Sequence, residues 1–262
     1  EYGFGFSEYP GHAVKLAREA IEAGETRIVA VGGDGTLNEI ASVIKDYKGV
    51  KLGLLPFGTG NDFARGIGLP EDDEGLVNVL TGGKSRLVDA GMAGDGFFIN
   101  VAGFGFDVDV VRYTEKYKRR LNGMLPYMLG ILQSLLHLSR TEAVIETDAG
   151  ESLNVTVTLL SACNGTRFAG GINLAPLADY SDGLMDICIL KKVSRLRFLY
   201  LLPKYMKGRH LKYKNDFLYF KAKSIRVKTL THALMECDGE IKGETPAEFR
   251  ILSGAIDFII GE

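Results

Sequence analysis

The 262-residue sequence contains only three cysteines, and no two of them form a Cys-x-x-Cys pair. They lie far apart, at Cys163, Cys188 and Cys237, which excludes the dense disulfide framework of a small secreted scaffold. Buried free thiols fit a reducing compartment, so we expect a cytoplasmic protein. The four histidines show no metal-ligand spacing: His12, His137, His210 and His232.

Long apolar runs are also absent. The most apolar helical stretch, residues 124–138, is interrupted by Pro126, Gly130, Gln133 and His137. It is too short to span a bilayer. Hydrophobic residues make up 46% and charged residues 24%, as in an ordinary globular protein with one large or two moderate cores.

The net charge of −2 hides a strong clustering of basic residues. Positions 191–228 contain thirteen Lys or Arg residues and one acid, Asp216. Exposed edge strands with lysines that prevent aggregation would explain this stretch. A face that contacts anionic lipid headgroups would explain it equally well. No nucleic-acid-binding motif accompanies the charge, so we expect no nucleic-acid partner.

The first third of the chain predicts a parallel α/β domain. Apolar spacing indicates a helix at 11–24, a strand at 27–31, a helix to about 44, a strand at 51–56 and a helix from about 62. This alternation is typical of a doubly wound sheet with crossover helices, here residues 1–88. Such a domain opens with its own strand, which we expect to be missing from this sequence.

After about residue 89 the pattern changes to many strands and few helices. Seven segments are predicted as strands, and one helical segment, about 108–139, interrupts them. We expect a larger antiparallel β-sandwich at 89–252, with residues 253–262 packing back on the first domain. Pairing of exposed edge strands would allow a homodimer.

The most informative segment is a glycine loop between the first predicted strand and its helix. Glycine lets backbone N–H groups approach an anion, and a helix N-terminus adds partial positive charge. An ordinary strand-to-helix turn needs one glycine, whereas this loop has three. The acid in the loop would repel bare phosphate, which indicates a metal ion or its waters. The segment comprises Gly32, Gly33, Asp34, Gly35, Thr36, Leu37 and Asn38.

A second glycine loop follows the next predicted strand. It contains Gly58, Thr59, Gly60, Asn61 and Asp62, and so supplies a hydroxyl, an amide and a carboxylate. Asp62 alone would serve as a helix N-cap, and Asn61 as a left-handed turn residue. Because neighbouring parallel strands end at one edge of a sheet, the two loops are expected to form one phosphate-binding crevice. Neither a Walker A motif nor a complete G-x-G-x-x-G motif is present.

Three acids further along are candidates with two interpretations each. Asp238 precedes Gly239 and is either a hairpin turn residue or a catalytic base. Asp179 and Asp182 are either parts of an ordinary Asp-Gly turn or ligands of a hard cation. The residues alone leave both questions open.

Together, these motifs resemble the diacylglycerol kinase catalytic domain, most closely that of the soluble bacterial lipid kinases. The resemblance covers nearly the whole chain. Its motifs are Gly-Gly-Asp-Gly-Thr-Leu-Asn-Glu from position 32, Pro-Phe-Gly-Thr-Gly-Asn-Asp-Phe-Ala-Arg from 56, Asn-Gly at 164, Ala-Gly-Gly at 169, Ala-Pro-Leu-Ala-Asp-Tyr-Ser-Asp-Gly-Leu-Met-Asp from 175 and Asp-Gly-Glu at 238.

The resemblance implies a two-domain kinase that binds ATP and Mg²⁺ in the cleft between its domains. It implies that Asp238 is the catalytic base. Glu240 would face the same way if that segment is extended, and would help to hold Mg²⁺ with Asp34 and Asp62. A structural Mg²⁺ site would use Asp179, Asp182 and the carbonyl of Leu184. The expected nucleotide-binding residues are Ser7, Gly32, Gly33, Asp34, Gly35, Thr36, Leu37, Asn38, Thr59, Asn61, Asp62 and Glu240.

The resulting hypothesis is an ATP-dependent lipid kinase that converts diacylglycerol to phosphatidic acid and contacts an anionic membrane peripherally. A kinase of a soluble substrate, such as an NAD kinase, shares the first loop but not the second. A catalytically silent lipid-binding protein is the third alternative. Retention of the expected carboxylates argues against it.

Overall fold

Helices and strands alternate through the first third of the computed structural model, which describes residues 3–82, 84–118, 120–121 and 125–261. The predicted strands and helices of this region are present with boundaries within two residues of the predicted ones. These elements are α1 (His12–Glu22), β1 (Arg27–Gly32), α2 (Asp34–Ile44), β2 (Lys51–Pro56), α3 (Asp62–Ile67) and α4 (Asp73–Gly82).

Helix α4 was not predicted, although its sequence contains a start signal. The Asp72 carboxylate accepts the backbone N–H of Gly75 at 2.7 Å. Asp73 and Glu74 lie in the first turn, where negative charge is favourable. The acidic run before the helix is therefore its cap.

Strands dominate the rest of the chain, as predicted. The predicted helical segment 108–139 is two helices rather than one, and Met124 lies outside the described residues. The elements are β3 (Ser85–Ala93), β4 (Gly96–Phe98), β5 (Val101–Gly105), α5 (Phe106–Lys118), α6 (Leu125–Leu136), β6 (Thr141–Thr147), β7 (Ser152–Cys163), β8 (Arg167–Phe168), β9 (Ile172–Asn173), β10 (Met185–Lys191), α7 (Arg195–Met206), a 3₁₀ turn (His210–Lys212), β11 (Phe217–Ala222), β12 (Ser224–Thr229), β13 (Leu234–Cys237), β14 (Glu240–Glu244) and β15 (Ala247–Ile259).

Helix α7 lies in the basic stretch 191–228, where the sequence pattern predicts no helix. The Ser194 side chain accepts the backbone N–H of Arg197 at 3.2 Å and caps the helix. Pro203 lies inside it, a position at which proline ordinarily disfavours a helix. The proline obscured the helical pattern.

Strand β15 joins the two parts of the molecule. Its first residues pair antiparallel with β12, from Ala247 to Arg250. Further along, Asp257 and Phe258 pair parallel with Lys51 and Leu52 of β2. The chain end therefore lies beside the first domain. The expected fold class, an α/β domain followed by a larger antiparallel β domain, is confirmed.

The larger domain is built on a sheet in which β12, β6, β7, β5, β13 and β14 follow one another as antiparallel neighbours. Strands β10 and β11 extend it from β7. Helices α5, α6 and α7 share an apolar cluster with β7 and β10, through side chains such as Phe106, Leu159 and Phe198. A separate cluster around Leu37, Phe63 and Phe258 fills the first domain. Among the described residues, no helix is long and apolar enough to cross a membrane.

Candidate active site

The two glycine loops touch each other at the ends of parallel strands. Gly32 pairs with Pro56 in the register of β1 and β2, so both loops leave the sheet at the same edge. A methyl group built on Gly58 would lie 2.3 Å from the Cα of Gly33. Only glycine permits this approach, and the predicted convergence of the loops is therefore present.

The first loop leaves the N-terminus of α2 open. No side chain caps this helix, and its first helical hydrogen bond runs from the Leu37 N–H to the Gly33 carbonyl at 3.1 Å. The N–H groups of the preceding residues lack helical partners. Such a terminus, approached by glycine backbone, suits a phosphate group.

Asp34 fastens the first loop to the second. Its Oδ2 accepts the backbone N–H of Asp62, and its Oδ1 accepts that of Phe63, both at 3.1 Å. The carboxylate thereby caps α3 from a different segment of the chain. The acid that made the first loop unusual thus has a structural role, which is to hold the start of α3.

Asn61 shapes the second loop from within. Its φ of 50° is left-handed, and its Oδ1 accepts the Gly58 N–H at 3.0 Å. Its Nδ2 donates to the carbonyls of Pro56 and Gly58 at 2.6 and 3.0 Å. The Asn61 amide is therefore engaged inside the loop, whereas the neighbouring Thr59 is exposed.

Asp62 is buried and has one oxygen to spare. Its Oδ2 accepts the backbone N–H of Gly170 at 2.8 Å, which links the first domain to the larger one. Its Oδ1 has no hydrogen-bond partner among the described residues. Burial, and then the nearby charge of Asp34, raises the pKa of the Asp62 carboxyl. An orphaned carboxylate oxygen of this kind suits a hard cation or a water bound to one.

Asp238 is both a turn residue and a site residue. Asp238 and Gly239 join β13 to β14, and both are left-handed, with φ of 47° and 86°. A two-residue hairpin of this type needs positive φ at both positions. The two interpretations of the sequence do not compete, because the turn aims the carboxylate inward.

Four donors surround the Asp238 carboxylate. Oδ1 accepts the N–H groups of Asn100 and Val101 at 3.0 and 2.9 Å. Oδ2 accepts the N–H of Ile99 and the Nδ2 of Asn38, both at 2.7 Å. Asn38 lies in α2, so this carboxylate bridges the two domains.

Burial raises the pKa of Asp238 to about 6, and the four hydrogen bonds oppose that rise. At neutral pH the group is therefore largely ionised, yet it is a stronger base than an exposed aspartate. A general base works best when its pKa lies near the working pH.

Two buried side chains hold the segment that cradles Asp238. Asn164 Nδ2 donates to the carbonyls of Ile99 and Asp89, both at 2.8 Å. The Tyr180 hydroxyl donates to Asn100 Oδ1 at 2.9 Å. Burial raises the pKa of Tyr180 well above its ordinary value, so the hydroxyl keeps its proton. Both residues belong to the sequence motifs, but no role was predicted for them.

A cavity of about 370 Å³ extends from these carboxylates into the larger domain. Asp34, Asp62 and Asp238 line it, and so do the charged residues Asp107, Glu115 and Lys118. Its walls are mainly apolar and come from α5, α6, α7 and the sheet. They include Phe106, Val110, Tyr127, Ile131, Leu159, Phe168, Phe198 and Leu201.

Other predicted nucleotide residues are placed differently. Leu37 is fully buried in the core of the first domain, so its side chain supports the loop from beneath. Thr36 packs beside Gly32, where a methyl group would lie 2.7 Å from the Thr36 Oγ1. Ser7 and Gly35 are exposed.

The geometric reason for grouping Glu240 with Asp238 does not hold. The intervening chain is a left-handed turn, not an extended segment. Glu240 is 64% exposed, and its carboxylate pairs with Lys242 Nζ at 2.7 Å. The structure therefore does not bring Glu240 to the carboxylates of the cleft.

The acids predicted to bind structural Mg²⁺ have protein partners. Asp182 Oδ2 lies 2.6 Å from Lys221 Nζ, and Asp182 Oδ1 accepts the Leu184 N–H at 3.0 Å. Asp179 Oδ1 accepts the Ser181 N–H and hydroxyl. Within the described ranges, no group of three or more His, Cys, Asp or Glu side chains is placed to hold a metal ion. Lys221 therefore lies beside one of the two acids, and the structural Mg²⁺ site of Asp179, Asp182 and the Leu184 carbonyl stays a prediction.

Two protein families match adjoining parts of the chain. The diacylglycerol kinase catalytic domain matches residues 2–93, and the YegS C-terminal NAD kinase beta sandwich-like domain matches residues 100–260. The chain belongs to the diacylglycerol kinase-like lipid kinase family.

Individual relatives agree. The diacylglycerol kinase of Bacillus subtilis is 32% identical over 247 residues, which cover 91% of this chain and 79% of that protein. A probable lipid kinase YegS-like protein of Chromohalobacter salexigens is 39% identical over 190 residues, or 71% of this chain. That match spans 61% of the relative's length.

Solved structures of this lipid kinase family and of NAD kinases share the fold. A crystal structure of a diacylglycerol kinase from Bacillus anthracis matches with a TM-score of 0.73 at 23% identity, covering 97% of this chain and 83% of that one. An NAD kinase of Archaeoglobus fulgidus in complex with ATP matches with a TM-score of 0.50 at 14% identity, covering 97% and 92%. These two likenesses concern the fold alone.

Proposed function

We propose that this chain transfers the γ-phosphate of ATP to a hydroxyl group of a lipid, most simply diacylglycerol to give phosphatidic acid. The observation that carries the proposal is the position of Asp238. Its carboxylate lies between the glycine loops, which suit a triphosphate, and an apolar cavity of about 370 Å³, which suits part of a lipid.

The open N-terminus of α2 and the backbone of the two glycine loops would bind the phosphates of ATP. Asp62, whose Oδ1 has no partner in the described part of the chain, and Asp34 beside it would hold the accompanying Mg²⁺. When bound, that ion neutralises charge on the phosphate oxygens. The protein's own contribution is placement, because phosphoryl transfer depends mainly on positioning and charge stabilisation.

Asp238 acts as the general base. Its carboxylate accepts the proton as the lipid O–H bond breaks and the oxygen forms a bond to the γ-phosphorus. The bond between that phosphorus and the β,γ-bridging oxygen breaks, and its electron pair leaves with ADP. The hydrogen bonds from Ile99, Asn100, Val101 and Asn38 keep the carboxylate in place without removing its basicity.

The proposal is tested by incubating the protein with γ-labelled ATP and a total lipid extract, followed by identification of the labelled product. The expected product is a phospholipid whose label is on a phosphomonoester. NAD is added in parallel, because the fold is shared with NAD kinases. Label in NADP, with none in lipid, would overturn the proposal.

A further inference from the structure

Helix α6 buries small residues and exposes several large apolar ones. Its buried positions are Pro126, Gly130 and Ser134. Tyr127, Ile131 and Leu135 are partly buried against the apolar cluster of the larger domain. Four other large apolar side chains face outward: Leu125 is 49% exposed, Met128 61%, Leu132 54% and Leu136 57%. A helix on the surface of a globular protein ordinarily shows the opposite arrangement. The helix contains no charged residue.

Close packing against α5 fixes this orientation. A methyl group on Gly130 would lie 2.5 Å from Thr114 Oγ1 and 3.0 Å from the Val110 carbonyl oxygen. The Ser134 hydroxyl is buried and donates to the Gly130 carbonyl at 2.8 Å. A rotation that buried the leucines would have to separate the two helices. The exposed apolar row is therefore built into the packing.

Helix α7 adds exposed apolar and basic residues. Leu196 is 81% exposed, Leu199 47% and Tyr200 49%. Arg195 and Lys207 lie at the two ends of this helix, both exposed, and the described part of the chain gives neither an ion pair. Their charges are available to a partner.

Other basic residues of this stretch form ion pairs, on α7 as well as on the strands. On α7, Arg197 pairs with Asp216 at 2.6 Å. Lys221 pairs with Asp182 and Asp186, Arg226 with Glu248, and Lys228 with Glu146. The interpretation as solvated strand residues therefore covers Lys221, Arg226 and Lys228. It does not cover Arg195 and Lys207, at the two ends of α7.

Helices α6 and α7 both line the cavity, and α7 contributes Phe198 and Leu201. Phe198 also contacts Phe106 of α5, with ring centroids 4.4 Å apart. The Arg140 guanidinium donates to the Val193 carbonyl at 2.8 Å and joins the chain after α6 to the start of α7. On α6, Tyr127 and Ile131 line the cavity, while the adjacent Met128 and Leu132 are exposed.

We propose that the α6–α7 face docks on a bilayer with anionic headgroups. This face comprises Leu125, Met128, Leu132, Leu136, Arg195, Leu196, Leu199, Tyr200 and Lys207. Its apolar row would enter the acyl boundary while Arg195 and Lys207 contact headgroup phosphates. A second copy of the chain fits less well, because face-to-face pairing would bring the unpaired cations together.

Docking of this face would place the cavity next to the bilayer, which contains the lipid substrate. The lipid acceptor enters between the helices, with its hydroxyl toward Asp238 and its chain along the apolar wall. This entry route rests on the proposed lipid kinase function. The docking itself does not, because it is measured without ATP.

The test is co-sedimentation with phosphatidylcholine vesicles with and without phosphatidylglycerol, in the absence of nucleotide. The wild-type chain is expected to bind the anionic vesicles, and less so as salt is raised. The double variant Met128→Gln/Leu132→Gln should bind them about tenfold more weakly or worse, since two apolar side chains no longer leave water. The matched control Leu230→Gln alters an equally apolar side chain, 79% exposed outside this face, and should bind like wild type.

A second double variant tests the contribution of the basic residues to vesicle binding. Arg195→Gln/Lys207→Gln should weaken binding to the anionic vesicles and leave binding to pure phosphatidylcholine unchanged. Equal binding of the wild type and both double variants to anionic vesicles would overturn the proposal. So would a wild type that stays in solution.

Two further measurements separate the alternatives. Sedimentation velocity checks for a second copy: a dimer that the α6 double variant converts to monomer, with vesicle binding intact, would overturn the bilayer assignment.

Phosphorylation of a short-chain, water-soluble diacylglycerol should be retained by the α6 double variant, because neither residue lines the cavity. A wild type that binds vesicles through this face but phosphorylates no lipid supports the docking and rejects the lipid kinase proposal.

Discussion

Asn38 Nδ2 donates to Asp238 Oδ2 at 2.7 Å, although the two residues are 200 positions apart in the chain. Asn38 lies in the helix that follows the first glycine loop, and Asp238 lies in a hairpin turn of the larger domain. The contact joins helix α2, whose N-terminus suits a phosphate group, to Asp238, which we assign as the general base.

Replacing the base tests its assignment. Asp238→Asn should lower the rate of lipid phosphorylation by at least about 10²–10⁴-fold, the usual contribution of a general base. It should also cost about 1–3 kcal/mol of unfolding free energy, because the amide nitrogen would face two N–H donors. Steady-state kinetics and chemical denaturation measure the two effects. Near-normal turnover in a folded variant would reject the role of Asp238.

The acid limb of the pH–rate profile reports the same group. Burial raises the pKa of Asp238 to about 6, and the base must be ionised to work. We expect kcat/KM to increase as pH rises through about 6 and then to level off. A profile that is flat from pH 5 to pH 8 would contradict this expectation.

The contribution of Asp238 to the free energy of unfolding should fall with rising pH, whereas kcat/KM should rise. Because the folded pKa lies above the ordinary value of 3.8, the carboxyl's contribution to stability is fully present below pH 3.8 and is lost as pH rises through about 6. The free energy of unfolding of Asp238→Asn should therefore vary less with pH in this window than that of the wild type. Urea denaturation at several pH values makes the comparison.

Asn38 is a positioning residue, and its replacement should shift the acid limb of the pH–rate profile. Its hydrogen bond stabilises the ionised form of Asp238, so Asn38→Ala should move the acid limb to higher pH, by about one unit for a hydrogen bond to a charged group. The measurement is the pH dependence of kcat/KM. A reduced rate with an unshifted limb would assign Asn38 a purely structural role.

The contact between the glycine loops should be required for nucleotide binding. In Gly58→Ala the new methyl group would lie 2.3 Å from the Gly33 Cα, so the loops must separate. We expect ATP affinity to fall at least about tenfold, because a displacement of the cradle removes aligned N–H donors. Calorimetric titration with ATP measures it. The control is Gly82→Ala at the end of α4, where a methyl group meets nothing within 4 Å.

Asp34 should stabilise the fold even without ligand. Asp34→Ala removes the acceptor for two N–H groups at the start of α3 and should cost about 1–2 kcal/mol of unfolding free energy in the absence of nucleotide. Denaturant unfolding without ATP tests this directly. An unchanged midpoint would show that the cap contributes nothing, leaving Asp34 with a role only in ligand binding.

Local sequence patterns predict most of the secondary structure of the first domain. Its strands and helices alternate with clear periodicity, and the loops after β1 and β2 are adjacent because neighbouring parallel strands end together. The position of Asp238 was different. Its own neighbourhood predicts a hairpin turn, and only the family resemblance gave it a role. Its donors, Asn38 and the N–H groups of residues 99–101, come from distant segments, and local pattern does not predict such contacts.

The orientation of α6 illustrates the same limit. Its composition indicates an apolar helix, but not which face lies inward. That choice depends on Gly130 and Ser134 fitting against Thr114 and Val110 of α5. Likewise, the two acids of the predicted structural Mg²⁺ site are three positions apart, but the sequence does not show that Lys221 approaches one of them.

Lipid kinase activity with Asp238 as its base is tested most directly by following labelled phosphate from ATP in the presence of both diacylglycerol micelles and NAD, with the wild type and Asp238→Asn side by side. We expect labelled phosphatidic acid from the wild type, almost none from the variant, and no labelled NADP from either. Labelled lipid formed equally by both proteins, or label found only in NADP, would contradict it.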